Sequence, residues 1–177
     1  MVIQTKRVSE TIRIGKSIGG HLLPGDVVAL VGELGAGKTQ FIKGLAAGAG
    51  IRNPAYISSP SFTLIHEYPG KIPFYHVDLF RLEGEKEAEE LGLEEYFQGE
   101  GITAIEWADK IPSLLPSQNL FIHIAYVGKN SRSLEIIGRG KRYQELVSQI
   151  QSSALGVPRK RSSRNSERIY SMTNRRR

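Results

Sequence analysis

Eight residues in the first quarter of the chain have the types and the spacing of a phosphate-binding loop. Residues 32–39 read Gly-Glu-Leu-Gly-Ala-Gly-Lys-Thr and match the pattern G-x-x-x-x-G-K-[ST]. Glycines let successive backbone N–H groups point at one centre, where they can bind phosphate oxygens. Lys38 would reach the β- and γ-phosphates of a nucleotide, and the Thr39 hydroxyl would ligate Mg²⁺. The pattern therefore predicts a nucleotide site formed by Glu33, Leu34, Gly35, Ala36, Gly37, Lys38 and Thr39.

The segments on either side favour phosphate binding over a glycine-rich turn that carries Lys and Thr by chance. Residues 27–31 are a short, unbroken apolar run, which is typical of a strand buried on both faces of a parallel sheet. After the loop, apolar residues recur on one face of a predicted helix that Gly50 can end. The order strand, loop, helix would direct the positive N-terminus of the helix at a phosphate.

Two acidic residues follow apolar strands and are candidates for metal binding and catalysis. Asp78 follows residues 74–77, and Glu106 follows residues 103–105. Ligands of open α/β sheets bind at the carboxyl ends of strands, and a Mg-nucleotide site usually needs an acid there. One of these acids could hold the metal while the other orients water or senses the γ-phosphate, and spacing alone does not rank them. The alternative for either residue is a helix cap or a surface acid.

The hydroxyl-rich segment 58–64 lies where P-loop proteins often keep a nucleotide-sensing switch, although an ordinary polar loop is the alternative. Trp107 is interpreted as a core residue, because aromatic residues are most often packed. His66 and His76 lie in strand patterns and are interpreted as packed residues and not as catalysts. Arg81 could neutralise a phosphate or form a surface ion pair.

The remaining elements indicate an α/β sheet of mixed direction, because helices alternate with strands early and strand pairs appear late. Helices are predicted over residues 8–23 (with Ser9 as N-cap), 83–96, 108–115 and 143–155. Hairpins are predicted to pair residues 62–68 with 72–80 and residues 120–127 with 133–138. Together with the phosphate loop, these elements predict a three-layer P-loop NTPase fold with a mixed, mostly parallel central sheet.

Composition excludes several kinds of site. The 177 residues include no cysteine, so neither disulfides nor thiolate metal sites can form. The four histidines are too scattered to suggest a zinc site. No window approaches the roughly 18 to 20 apolar residues of a membrane span, and residues 1–17 have no apolar signal core. We therefore expect a cytoplasmic protein.

The net charge of +6 is concentrated at one end of the chain. Residues 156–177 hold eight Lys and Arg residues against one acid, a net charge of +7, whereas residues 1–155 have a net charge of −1. The basic segment has few apolar residues, so it cannot bury enough surface to offset the entropy lost on ordering. We expect a P-loop ATPase domain over residues 1–155 and a basic, disordered tail over residues 156–177.

Other classes of P-loop protein lack their diagnostic motifs. The chain has no Asn-Lys-x-Asp motif for guanine, and no glycine completes an Asp-x-x-Gly switch after Asp78, which argues against a GTPase. The LSGGQ-like signature of ABC ATPases is also absent. A small-molecule kinase agrees with the chain length and stays an alternative, although no arginine-rich lid is found.

Five motifs occur in the order and spacing of one protein family. They are GELGAGKT, SSPSFTLIHEY, HVDLFRL, EELGLEEY and IEWADKIPSLLP. Together they resemble the bacterial TsaE (YjeE) family, the ATPases of tRNA threonylcarbamoyladenosine biosynthesis, over about residues 5–150.

This resemblance implies a small cytoplasmic ATPase with a P-loop α/β fold that binds ATP and Mg²⁺. Members act with two partner proteins, TsaD and TsaB, to place a threonylcarbamoyl group on the adenosine next to the anticodon of tRNAs that read ANN codons. TsaD carries out the transfer, and the TsaE-type protein supplies ATP binding and hydrolysis that support repeated turnover. An alternative is a nucleotide-gated adaptor in the same complex, whose hydrolysis is incidental.

Matching the family's motifs to this sequence implies roles for individual residues. Thr39 and Glu106 would ligate Mg²⁺, and Asp78 would be the acid needed for hydrolysis, with Lys38 as the second catalytic residue. Residues 59–63 would form a switch-like loop. The base and ribose would lie near Thr11, Ser131 and Arg132.

Three features depart from the family pattern. Ser61 stands where Thr is usual, and Glu33 stands where Asp is common, but both keep the chemical type. The basic tail over residues 156–177 is not part of the common pattern. It is either a lineage-specific solubilising extension or an electrostatic arm for tRNA phosphates.

Overall fold

A computed structural model describes residues 1–154, so the predicted domain boundary and basic tail lie outside the described residues. In chain order the strands are β1 (Val2–Thr5), β2 (Val27–Val31), β3 (Ile65–Tyr68), β4 (Phe74–Asp78), β5 (Ile102–Glu106), β6 (Asn119–Tyr126) and β7 (Arg132–Arg139). The helices are α1 (Val8–Gly19), α2 (Lys38–Gly48), α3 (Glu85–Glu89), α4 (Leu93–Phe97) and α5 (Lys141–Ala154). Two 3₁₀ turns lie at Pro54–Tyr56 and Ala108–Lys110.

These strands form one mixed sheet in the order β1-β7-β6-β2-β5-β4-β3. The central strands β6, β2, β5 and β4 run parallel, and antiparallel pairs lie on both sides of them. All five residues of β2 are buried, as predicted for a strand covered on both faces. The register pairs Leu30 with Glu106 and Glu106 with Asp78. The carboxyl ends of β2, β5 and β4 therefore meet at one edge of the sheet.

Helices cover both faces of the sheet and form three layers. On one face, α1, α2 and α5 contribute Ile18, Phe41 and Leu146 to the larger core. On the other face, α3 and α4 contribute Ala88 and Leu93 to a second core. Successive side chains of β2 enter the two cores in alternation, because neighbouring residues of a strand point to opposite faces. The predicted α/β class with a mixed sheet is confirmed.

The first two helices pack backbone against backbone. A Cβ atom on Gly19 would overlap the backbone of Leu45, and a Cβ atom on Gly44 would overlap the carbonyl oxygen of Ile12. Two helix backbones can approach each other this closely where the residues between them are glycines, which have no side chain. Because α2 directly follows the glycine loop, this contact fixes α1 beside the loop.

Two predictions about where helices begin and end were wrong. Arg7, and not Ser9, is the N-cap of α1, because Arg7 is the last residue with extended backbone angles (φ −145°, ψ 150°). The helix predicted over residues 83–96 is divided into α3 and α4. Gly92 precedes α4 with φ of 63°, which a continuous right-handed helix does not allow.

Two further elements differ from the sequence-based predictions. The helix predicted over residues 108–115 is only the 3₁₀ turn at Ala108–Lys110, because Pro112 disfavours a helical backbone at Ile111. Strand β1 was not predicted. It is a four-residue edge strand with two exposed positions, too short to show a periodic pattern, and its pairing with β7 makes it a strand.

Candidate nucleotide-binding site

The loop between β2 and α2 has the backbone of an anion site. Gly32 and Gly37 have φ of 143° and 110°, a region that glycine adopts without strain. A Cβ atom on Gly32 would overlap the carbonyl oxygen of Ile124, whereas one on Gly37 would meet no protein atom within 4 Å. Helix α2 begins at Lys38, and no side chain caps its first N–H groups. These N–H groups are available to an anion.

A cavity of about 460 Å³ lies over this loop. Its volume is in the range of small-molecule sites, about 300 to 1,000 Å³. The cavity brings together predicted residues from four parts of the chain. They are Lys38 and Thr39 from α2, Ser59 and Ser61 from the segment before β3, Asp78 from β4 and Glu106 from β5.

Lys38 lies in the wall of the cavity and is only 3% exposed. Its ammonium donates hydrogen bonds to the carbonyl oxygens of Gly32 at 2.6 Å and Glu33 at 3.1 Å. It also lies 3.7 Å from the centroid of the Trp107 ring. The loop and the indole therefore hold the cation at the place where the motif predicts phosphate binding.

Burial and nearby carboxylates shift the pKa of Lys38 in opposite directions. Burial lowers the pKa of Lys38 from its ordinary value of 10.5, and attraction to Glu106, Asp78 and Asp109 opposes that shift. Of these three acids, Glu106 and Asp78 line the cavity together with Lys38.

Glu106 is the acid that contacts the loop helix. The Thr39 hydroxyl donates a hydrogen bond of 2.7 Å to Glu106 Oε1, and Glu106 is 4% exposed. Its strand, β5, is the immediate neighbour of β2, whereas Asp78 lies one strand further from the loop. The fold thereby distinguishes two acids that their spacing in the sequence left equivalent.

The neighbouring oxygens of Thr39 and Glu106 suit Mg²⁺, which prefers hard oxygen ligands. Within residues 1–154, no group of three or more His, Cys, Asp or Glu side chains is arranged to hold a metal. A magnesium ion at this position would therefore need phosphate oxygens as further ligands, which is its usual arrangement with nucleotides.

Asp78 is 2% exposed and is held by the segment that precedes β3. Its Oδ2 accepts hydrogen bonds from the hydroxyls of Ser61, at 2.8 Å, and Ser59. Its Oδ1 accepts a hydrogen bond of 2.9 Å from the Phe80 N–H. The Asp78 N–H donates to the carbonyl oxygen of Leu64, which has φ of 63°. The predicted switch-like loop is thus tied to the predicted catalytic acid.

Aromatic side chains lie at the mouth of the cavity. Trp107 is only partly buried, because it packs against the second core and also lines the cavity, so the core interpretation describes only one of its two contacts. Phe62 is 85% exposed, and the Arg81 guanidinium lies 4.1 Å from its ring centroid. Among the described residues Arg81 forms no ion pair, so the surface ion pair considered from sequence is not present.

A second cavity, of about 70 Å³, lies next to the same loop. Arg132 lines it and donates from Nε to the carbonyl oxygen of Ala36 at 2.9 Å. Thr11 also lines it, and its hydroxyl is hydrogen-bonded to that of Thr5 at 2.9 Å. Ser131 is next to Arg132 in the chain but is not among the residues that line this cavity.

One buried residue at the site was missed from sequence. His76 is fully buried, as its interpretation as a packed residue required, but its Nε2 lies 2.9 Å from Glu106 Oε1. A signal was available, because His76 and Asp78 are two residues apart in one strand and therefore point to the same face. His66, its register partner on β3, lies near Tyr68, with 3.3 Å between Nδ1 and the phenol oxygen.

Comparison with known proteins assigns this arrangement to a family. Residues 5–134 match the family model described as Threonylcarbamoyl adenosine biosynthesis protein TsaE. The chain belongs to the TsaE family. The motifs that resembled TsaE proteins in the sequence all lie in the matched region, so that resemblance is confirmed.

Several TsaE proteins are similar over most of their length. The tRNA threonylcarbamoyladenosine biosynthesis protein TsaE of Bacillus subtilis is 43% identical over 148 residues, which are 83% of this chain and 91% of that protein. The TsaE protein of Nostoc sp. is 44% identical over 131 residues, which are 71% of this chain and 78% of that protein. TsaE is thus the family of a tRNA modification pathway, the biosynthesis of threonylcarbamoyladenosine.

The fold agrees with a solved structure. The crystal structure of Bacillus subtilis YdiB superposes with a TM-score of 0.76 at 37% identity, covering 87% of this chain and 95% of that chain. This TsaE chain therefore has the α/β P-loop NTPase fold predicted from its sequence. In residues 1–154, no helix has the length and apolar character needed to cross a membrane.

Proposed function

We propose that this TsaE-family protein is a Mg²⁺-dependent ATPase that supports a TsaD–TsaB complex in threonylcarbamoylation of the adenosine next to the anticodon of tRNAs reading ANN codons. The observation that carries the proposal is that Lys38, Thr39, Asp78 and Glu106 line one cavity over the glycine loop. Family membership supports the tRNA modification pathway as the setting. We also propose that residues 1–155 form the ATPase domain.

In this proposal the loop over residues 33–39 binds the phosphates of ATP. The N-terminal N–H groups of α2 donate hydrogen bonds to phosphate oxygens, and the partial positive charge of the helix N-terminus adds attraction. The Lys38 ammonium leaves the carbonyl oxygens of Gly32 and Glu33 and contacts the β- and γ-phosphates. Those carbonyl contacts are short, so only a strong anionic acceptor would compete with them.

Thr39 and Glu106 are proposed to hold Mg²⁺, which would bridge phosphate oxygens and neutralise their charge. Their contact of 2.7 Å supports this role, because one hydroxyl and one carboxylate already lie side by side at the cavity wall. The low exposure of Glu106 keeps water from competing for its oxygens.

Asp78 is proposed to orient the attacking water. Its position at the end of β4 places it in the same cavity as Thr39, yet one strand away from the metal-binding acid. Its Oδ2 accepts from Ser59 and Ser61, so it must exchange at least one of these hydroxyls for water before it can act. Thr11 and Arg132 are proposed to contact the base and ribose at the second cavity, and Ser131 is proposed to contact them from its position next to Arg132 in the chain.

The test is phosphate release from ATP by the full chain with Mg²⁺. Lys38→Ala and Asp78→Ala should each lower the rate by about 100-fold or more, the scale of losing one group that stabilises transition-state charge. Lys71→Ala and Glu100→Ala change exposed residues outside the cavity and should keep the original rate. Unchanged hydrolysis in both cavity variants, with the fold intact by circular dichroism, would reject the proposal. A phosphorylated metabolite in place of free phosphate would instead indicate a kinase.

A nucleotide-gated adaptor is the second candidate, and one observation favours it. The segment tied to Asp78 also carries Phe62, which is 85% exposed. If nucleotide binding draws Asp78 away from Ser61, the same movement repositions an exposed aromatic side chain where a partner could bind. Asp78→Asn that binds ATP but supports many rounds of tRNA modification would favour the adaptor over the ATPase.

Partner binding is tested by a pull-down of TsaD and TsaB with the full chain. The proposal expects capture that depends on ATP. Equal capture with ATP, with ADP and without nucleotide would show that the nucleotide site does not control assembly.

A further inference from the structure

His76 is fully buried in β4, two residues before Asp78 and on the same face of the strand. Its Nε2 is 2.9 Å from Glu106 Oε1, and its Nδ1 is buried without a hydrogen-bond partner among the described residues. In the register of β4 and β5, His76 lies opposite Ala104, while Glu106 lies opposite Asp78. Glu106 is therefore the diagonal neighbour of His76 on the adjacent strand, a separation that long side chains can span.

The hydrogen-bond pattern indicates which ring nitrogen carries the hydrogen. An ionised carboxylate only accepts hydrogen bonds, so Nε2 of His76 must donate to Glu106. The other ring nitrogen, Nδ1, is buried and has no hydrogen-bond partner among the described residues. The imidazole therefore makes one hydrogen bond, which Nε2 donates to Glu106 Oε1.

That oxygen is the same one that Thr39 contacts. Glu106 Oε1 accepts from the Thr39 hydroxyl at 2.7 Å and from His76 at 2.9 Å, whereas Oε2 accepts no hydrogen bond from the described residues. Two donors on Oε1, one from helix α2 and one from strand β4, define the rotation of the carboxylate. Oε2 is thereby kept free in a residue that lines the cavity.

We propose that His76 is a positioning residue that orients Glu106 for Mg²⁺, an inference that rests on the proposed function. The bond from His76 keeps Oε1 engaged even when the Thr39 hydroxyl turns toward the metal. The carboxylate then holds its orientation while its other partner changes. Without His76, Glu106 would have one donor fewer in a buried site, and its orientation would depend on Thr39 alone.

The chain offers variants matched to this question. His76→Phe keeps a ring of similar size and removes the donor, whereas His76→Gln keeps an N–H near the position of Nε2. His66→Phe is the control, because His66 is the register partner of His76 on β3 and does not contact Glu106. Calorimetry gives the ATP affinity of each protein in EDTA and the Mg²⁺ affinity of its ATP complex.

His76→Phe should lower Mg²⁺ affinity by about 10- to 100-fold, the usual effect of removing a partner that orients a metal ligand. Its ATP affinity in EDTA should stay within about twofold of the original, because the phosphate loop is untouched. His76→Gln should recover most of the Mg²⁺ affinity, and His66→Phe should match the original protein. A merely structural role for His76 would instead alter both affinities together.

The outcomes separate this inference from the proposed function. If the original protein shows no Mg²⁺-dependent ATP binding, the proposed function fails. If it does, and folded His76→Phe binds Mg²⁺ equally well, only the role of His76 is wrong. If His76→Phe does not fold, His76→Asn replaces it, because the shorter amide cannot reach Glu106. Equal Mg²⁺ affinities for the Asn and Gln variants would then overturn the inference, and weaker binding by the Asn variant alone would support it.

Discussion

The ammonium of Lys38 lies 3.7 Å from the ring centroid of Trp107, the single tryptophan of the chain. A cation over an indole face is attracted by the quadrupole of the ring. A residue expected to bind phosphate is thus in contact with a natural fluorophore. This contact links phosphate binding to a spectroscopic signal that needs no label.

Adding ATP should change the intrinsic fluorescence of the protein, because Lys38 would move from the indole toward the phosphates. An increase in emission is expected, since the cation leaves the ring. Lys38→Met has no ammonium to move and should show a much smaller change at ATP concentrations that saturate it. Titration of both proteins with calorimetry in parallel checks this. Saturated ATP binding without any change in emission would contradict it.

Replacing Lys38 should stabilise the fold at neutral pH. Burial lowers the pKa of Lys38, so the protonated side chain raises the free energy of the folded state relative to the unfolded state. Lys38→Met should therefore raise the free energy of unfolding at pH 7 by about 1 kcal/mol, a typical size for one substitution.

The same linkage predicts a pH trend for Lys38→Met. The destabilisation that the buried ammonium causes is complete at pH values below the lowered pKa of Lys38 in the folded protein. It disappears as pH rises toward the ordinary value of 10.5, because the folded protein releases the proton first. Urea unfolding at several pH values should show a stability gain that shrinks between neutral pH and pH 10. Lys86→Met, at an exposed position, controls for the change of residue type. A stability gain of Lys38→Met that grows with pH would contradict the prediction.

Gly44→Ala should destabilise the protein by about 1–3 kcal/mol, the usual cost of forcing an extra atom into a packed core. The new Cβ atom would overlap the carbonyl oxygen of Ile12 and force α1 away from α2. Gly20→Ala is the matched control, because its Cβ atom would have no neighbour closer than 3.8 Å. Thermal unfolding of both variants measures the difference. Equal melting temperatures would mean that the two helices separate easily.

Removing both hydroxyls that contact Asp78 should loosen the segment before β3. The double variant Ser59→Ala, Ser61→Ala would lose about 1–3 kcal/mol of local stability, the cost of leaving a buried acceptor without partners. Hydrogen exchange should become faster at residues 58–64 and stay unchanged in β2. Thr63→Ala, an exposed change in the same segment, should leave exchange as it was. Unaltered exchange in the double variant would show that other contacts hold the segment.

Deleting residues 156–177 tests the arm interpretation of the basic tail. If the tail binds tRNA phosphates, its removal should weaken tRNA binding and reduce the salt slope by about 0.7 to 0.9 for each phosphate that the tail neutralised. A full-length chain with the eight Lys and Arg residues of the tail changed to Gln should behave like the deletion. Filter binding at two salt concentrations measures both effects. Equal affinity with and without the tail leaves the solubilising extension as its role.

Local patterns were sufficient to predict the phosphate loop and the strand and helix beside it. Residues 27–39 carry an apolar run, glycines and Gly-Lys-Thr in consecutive positions, and the backbone follows these types directly. Where a single residue interrupts a pattern, sequence reasoning was weaker. Gly92 and Pro112 shortened two predicted helices, because each changes the backbone at one position while the apolar spacing continues past it.

The sequence by itself determined the family, the fold class and the loop that can bind phosphate, because these depend on residue types at fixed spacing along the chain. Only the tertiary structure decided that Glu106, and not Asp78, is hydrogen-bonded to Thr39, and that His76 is hydrogen-bonded to Glu106. Those relationships depend on the order β2-β5-β4, in which strands far apart in the chain become neighbours. Strand order follows from how helices and strands bury their apolar faces together, and spacing along one chain carries no measure of that joint packing.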